Sequence, residues 1–157
     1  MNDREAVLRF TAFALLPSIR SYDEYGSLEQ LLNWANSELD DPAAVSDRAL
    51  EEIADSFSRA MSNAYQVFGA HAFRKWPVGV ERLMPINRAL FESWGLALSR
   101  RTADEVARHK DAIQIAARTA MKDDAEYIES ISTSTSDPRR VRERFQVPES
   151  ILSAVIP

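Results

Sequence analysis

The side chains able to do chemistry are few and widely spaced. Histidine occurs only at His71 and His109, and cysteine does not occur at all. The lack of cysteine excludes a disulfide framework, a zinc–thiolate site and a cysteine nucleophile. Glu105 and His109 stand four residues apart and could share a helix face. That supplies two metal ligands at most, and an ordinary side-chain pair explains the spacing better. Serines are plentiful, but no G-x-S-x-G turn is present to present one as a nucleophile. Neither G-x-x-x-x-G-K-[ST] nor G-x-G-x-x-G occurs, so the common phosphate cradles are missing. The carboxylate pairs Asp40-Asp41 and Asp123-Asp124 fall at expected helix ends, where capping and solvation account for them. No catalytic residue, cofactor site or metal site is assigned.

Two basic clusters remain. Phe73-Arg74-Lys75-Trp76, with His71 just before it, sets cations beside aromatic rings. Such a group can stack on bases or hold phosphate. It can equally anchor a loop through its aromatics while the cations face water, and that reading is preferred. The second cluster is Arg139, Arg140, Arg142 and Arg144, diluted by Asp137 and Glu143. Salt bridges or a solvated face explain it without a ligand. Arg74, Lys75, Arg139 and Arg140 are the candidates for contact with phosphate or nucleic acid.

The elements that would position these residues are helical. Apolar residues make up 45% of the 157-residue chain, enough for one core, and only four glycines occur. The formal net charge is -5, and it is uneven: residues 1–69 carry -7 and residues 70–157 carry +2. The longest apolar stretch, Phe10 to Leu16, is too short to span a bilayer. Asp3 and Glu5 precede it and no cleavage site follows, so no signal peptide is expected and the chain is assigned to the cytoplasm.

Periodicity and capping predict an all-α irregular bundle of about six helices, in one domain over residues 1–157. The first runs from Asp3 to Leu16, capped by Asn2 or Asp3 and stopped by Pro17. The second starts at Ser27, with Gln30 in the capping-box position, and ends at Asp40-Asp41-Pro42. The third is capped by Ser46 or Asp47, carries a stripe from Leu50 through Phe57 to Phe68, and stops at Gly69. At 1.5 Å per residue it should be roughly 30 Å long, and it is expected to be the central helix. Phe57→Ala is then expected to be among the worst single changes, at a cost on the order of 3–5 kcal/mol if Phe57 is fully buried.

Further helices are expected over Pro85–Arg100, from the Thr102/Glu105 capping box to Lys122, over Ala125–Ile131, and from Asp137-Pro138 to Phe145. Pro148 and a short apolar tail follow the last. The Ser/Thr run near 130–136 has the composition of a mobile linker.

Several segments together resemble a known family. Asp3-Arg4-Glu5-Ala6-Val7-Leu8-Arg9-Phe10-Thr11-Ala12-Phe13 is similar to its D-x-E-x-V-L-R-F-x-A-F stretch. The match continues in order at Tyr25-Gly26-Ser27-Leu28 and Leu31-Leu32-Asn33, then at Phe68-Gly69-Ala70-His71-Ala72-Phe73-Arg74. Asn87-Arg88-Ala89-Leu90-Phe91, Thr135-Ser136-Asp137, Val141 and Arg144-Phe145 complete it. The family is the domain-of-unknown-function group that includes the N-terminal domain of GmrSD-type restriction endonucleases. Its front half is a ParB/sulfiredoxin-like fold with an Asp-Gly-Gln-Gln-Arg-type nucleotide motif. No aspartate precedes any glycine here, so that motif transfers to no residue, and the chain resembles the helical rear half alone. The HNH histidine pattern of associated nucleases is missing too.

The resemblance implies a non-catalytic helical module of an anti-phage or restriction system. It would support a nucleotide-hydrolysing, DNA-targeting partner in trans or as part of one polypeptide. A stand-alone protein–protein interaction module is the alternative. Direct nucleic-acid binding is disfavoured by the overall acidity. The first helix is apolar on most sides and is expected to be a docking surface through Val7, Phe10, Phe13 and Leu15, the alternative being a central core helix wrapped by the other five. A homodimer or a ParB-like protein would be the partner.

Overall fold

The structure is a computed structural model and describes residues 3–156. Seven α-helices form the bundle: α1 (Asp3–Leu15), α2 (Leu28–Asp40), α3 (Asp47–Phe68), α4 (Arg88–Ser99), α5 (Ala103–Asp123), α6 (Ala125–Ser130) and α7 (Pro138–Val155). Two 3-10 turns, Ile19–Glu24 and Gly69–His71, join them. The expected all-α bundle is what forms, and the short helix expected over Ala125–Ile131 is present as α6. Among the described residues the only β pairing is a single antiparallel bridge between Arg74 and Ile86. No described helix is long and apolar enough to cross a membrane.

Most helix starts follow from local chemistry. Ser27 accepts from the Gln30 amide at 3.3 Å and Ser46 from the Ala49 amide at 3.3 Å. Thr102 and Glu105 form the full reciprocal box, Thr102 N donating to the Glu105 carboxylate at 2.7 Å. Asp137 caps α7 with Pro138 in its first turn. Each satisfies backbone groups that a helix terminus leaves open. Gly69 closes α3 at φ 55° and ψ -130°, a region that side chains disfavour. Asn2 lies outside the described residues.

Two expectations are corrected. The central helix is α4, not α3. Every residue from Ala89 to Ser99 is buried, against α1, α3 and α7. The front half of α3 is exposed at Leu50 and Ala54, and Phe57 is only half-buried. A one-sided stripe is the mark of a helix at the edge of a core, whereas α4 is apolar nearly all round. The second correction is the last helix, which continues through Pro148 to Val155. An interior proline forfeits a backbone bond and costs about 3 kcal/mol. Here the continuation buries Leu152 and Ile156 in the main core beside Trp94, Leu98 and Ile113, which offsets that cost.

Candidate functional site

The most concentrated chemistry lies where α1, α4 and α7 meet. Glu92 is the one ionisable group along the buried face of α4, and it is 1% exposed. Arg9 from α1 donates through Nη1 to Glu92 Oε1 at 2.6 Å. Arg144 from α7 donates through Nη2 to Glu92 Oε2 at 2.5 Å. Both guanidiniums are buried as well, at 8% and 1% exposure. Buried charges persist only when paired and hydrogen-bonded, and one carboxylate here serves two cations.

The network extends at both ends. Arg9 Nε also reaches Glu5 Oε1 at 2.9 Å, and Arg88 stands 3.7 Å from the same carboxylate. The hydrogen bond from Arg9, with the charges of Arg9 and Arg88, holds the Glu5 carboxyl below its usual range. Arg144 Nη1 donates to the carbonyl of Thr135. The hydroxyl of buried Tyr22 donates to the next carbonyl, Ser136, at 2.8 Å. Burial pushes that phenol up to about 12, against the opposing charges of Arg144 and Arg9. Arg140 binds Thr133 in turn, so the Ser/Thr-rich segment is tethered at Thr133, Thr135 and Ser136, and Lys75 holds it at Ser132 as well. Both oxygens of Glu92 are committed and the Tyr22 proton is held tightly. The arrangement therefore clamps helices together and offers no free acid or base.

Beside this clamp runs a groove of about 800 Å³. Phe13, Leu16, Leu96 and Phe145 line its floor. Arg100 at its edge pairs with Glu149 at 2.8 Å, and Arg142 pairs with Asp23. Arg20 is exposed there with no side-chain partner among the described residues. No group of three or more described His, Asp or Glu side chains could hold a metal ion.

Each of the four expected phosphate contacts has an internal partner, and Lys75 and Arg140 bind the adjacent residues Ser132 and Thr133. Arg74 donates to the carbonyls of Ala70, at 3.1 Å, and Met84. Lys75 donates to Ser132 Oγ at 2.7 Å, and partial burial lowers its pKa. Arg139 binds Glu143 at 2.9 Å, and Arg140 binds Glu129. Trp76 is not an open stacking platform. The His71 ring stacks on it at 4.0 Å and 9°, and the Arg118 guanidinium lies 4.0 Å from its ring centroid. Two groups that close to one ring occupy its two faces, leaving none for a base.

The expected interface on α1 is also redistributed. Phe10 and Phe13 are buried at 1% and 2% exposure. Phe10 packs edge-on against Phe57 with centroids 5.2 Å apart, and Phe13 meets Phe145 at 4.7 Å. Val7 is 46% exposed and Leu15 is half-buried. These four residues do not form one exposed patch, because α2, α3, α4 and α7 cover most of the helix. Sequence reasoning passed over Glu92. A lone carboxylate within an otherwise apolar helix was the available signal, since such a charge requires buried partners.

No protein-family model, curated protein or solved structure matches this chain.

Proposed function

We propose that the chain is a non-catalytic helical module of a GmrSD-like anti-phage or restriction system, docking on a ParB-like partner that hydrolyses nucleotide and targets DNA. The observation that supports this reading is convergence. The segments that carry the resemblance lie far apart in sequence, yet Arg9 and Arg144 both close on Glu92, with Glu5 behind Arg9 and the Thr135 carbonyl behind Arg144. Arg9 and Glu92 are 83 residues apart, and Glu92 and Arg144 are 52 apart. Scattered similarities arising by chance have no reason to meet at one buried network. The internal pairing of Arg74, Lys75, Arg139 and Arg140 favours contact with DNA through the partner over direct contact. On this reading the chain works in the cytoplasm.

The test is co-expression with a ParB/sulfiredoxin-like nucleotide-hydrolysing protein of such a system, followed by light scattering and a phosphate-release assay. A stoichiometric complex is expected, with hydrolysis depending on the partner and none from the chain alone. Failure to associate, or phosphate release by the chain alone that a substitution within it abolishes, would refute the reading.

A further inference from the structure

Where α1 ends, the chain bends at Pro17 and passes through the 3-10 turn Ile19–Glu24 on its way to α2. Helix α7 packs on α4 and on that turn. The groove of about 800 Å³ lies between the end of α1, the turn, the end of α4 and the first turns of α7. Clefts that hold small molecules have volumes of about 300–1,000 Å³, an apolar lining and a few placed polar groups. Phe13, Leu16, Leu96 and Phe145 supply the apolar floor here, and Ile19 adds a half-buried wall.

The charged rim does not balance. Arg20, Arg100, Arg139 and Arg142 line it, against the three carboxylates of Asp23, Glu143 and Glu149. Each carboxylate already has its own arginine: Arg142 on Asp23, Arg139 on Glu143 at 2.9 Å, and Arg100 on Glu149 at 2.8 Å. Arg20 is left over, exposed and with no side-chain partner among the described residues. Four cations against three anions leave one positive charge beside an apolar floor, on a chain whose formal net charge is -5. A cationic ligand would have to displace an arginine to reach a rim carboxylate. An anion meets Arg20 without breaking any pair. Arg100 and Arg142 can swing to it as well, because partly exposed ion pairs hold only weakly.

We propose that this groove binds a small organic carboxylate with an apolar body. The body lies over Phe13, Leu16, Leu96 and Phe145, and the head group pairs with Arg20. A guanidinium presents parallel N–H donors that match the two oxygens of a carboxylate. One negative charge on the ligand matches the one positive charge left on the rim.

Titration of the full chain with sodium octanoate, followed by amide NMR, tests this. Saturable shifts should gather at residues 16–23, 96–100 and 145–149, which border the groove. Acetate has the head without the body, and octanol has the body without the head. Each should bind more weakly than octanoate by about tenfold or more. Arg20→Gln should weaken octanoate by about tenfold, since it removes one charged hydrogen-bonding group. Arg82→Gln, at an exposed arginine outside the groove, should leave the affinity unchanged. The proposal is overturned if the shifts do not saturate or lie elsewhere, if octanol binds as well as octanoate, or if Arg20→Gln binds like wild type. Equal losses in Arg20→Gln and Arg82→Gln would reduce the effect to overall charge and overturn it too.

Discussion

Glu92→Gln should be among the most damaging isosteric changes available in this fold. The substitution alters almost no volume, so packing loss is not its mechanism. It removes the only anion between two guanidiniums that are 8% and 1% exposed. It also turns an acceptor oxygen into an amide that points N–H groups at another donor. Breaking one buried ion pair costs about 3–5 kcal/mol, because the surviving charge is left uncompensated. Arg144 is then left with no carboxylate and Arg9 with Glu5 alone, so a cost of up to about 5 kcal/mol is expected. In a domain of this size that corresponds to a fall of ~10–20 °C in Tm. Urea unfolding followed by far-ultraviolet circular dichroism reads the loss as a lower midpoint at an unchanged slope. Adding Arg144→Met removes one stranded charge and should recover part of the loss. A cost below about 1 kcal/mol for Glu92→Gln, or no recovery in the double variant, would mean that water reaches the site and the clamp is not dry.

Four further outcomes follow from the same geometry. Replacing the whole triad with apolar residues, as Arg9→Met with Glu92→Leu and Arg144→Met, should be neutral or stabilising by about 1–4 kcal/mol in urea unfolding, since no charge is then desolvated. Phe57→Ala should cost only about 1–2 kcal/mol because Phe57 is half-buried, whereas Trp94→Ala, at 1% exposure, should cost about 3–5 kcal/mol by the same measurement. Gly69→Ala should destabilise by about 1 kcal/mol or more through backbone strain alone, because nothing lies within 4 Å of the added Cβ; a neutral thermal melt would refute that. Tyr22 titrates at about 12, above its ordinary 10, so its contribution is complete below pH 10 and is lost as pH rises towards 12; thermal melts across that range should fall more steeply for wild type than for Tyr22→Phe.

Local structure was legible because its causes are local. Ser27, Thr102 and Asp137 read as caps and Ser46 as one of two candidates with Asp47, and each of the four side chains accepts the expected amide. What failed required knowledge of the distant partner. Pro148 reads as a stop until Leu152 and Ile156 are seen entering a core built from α3, α4 and α5. The stripe on α3 marks a buried face but not how deeply it is buried, and its front half turned out to lie at the edge. The basic residues read by preference as salt-bridged or solvated and not as a ligand site, yet their partners stayed hidden for a related reason. Composition displays cations, whereas their partners, Glu129 for Arg140 and the Met84 carbonyl for Arg74, are fixed by loop geometry.

The buried triad solves a problem that the apolar residues cannot. The packed faces of α1, α4 and α7 offer Phe, Leu, Ala and Val to one another, and hydrophobic burial is non-directional. Helices with such faces can slide by a turn or rotate at little cost. A carboxylate with two fixed oxygens, each meeting one guanidinium, tolerates no such shift: displacing either α1 or α7 by one turn strands a buried charge. The same reach sets the entry to α7, since Arg144 and Tyr22 grip the consecutive carbonyls of Thr135 and Ser136. Thus the residues that cost most to bury determine which helices meet, and in what register. If the apolar triple variant matches wild-type stability but loses NMR signal dispersion, the triad contributes uniqueness and not net stability. If dispersion is retained, shape complementarity alone fixes the register and the triad is not what makes the fold unique.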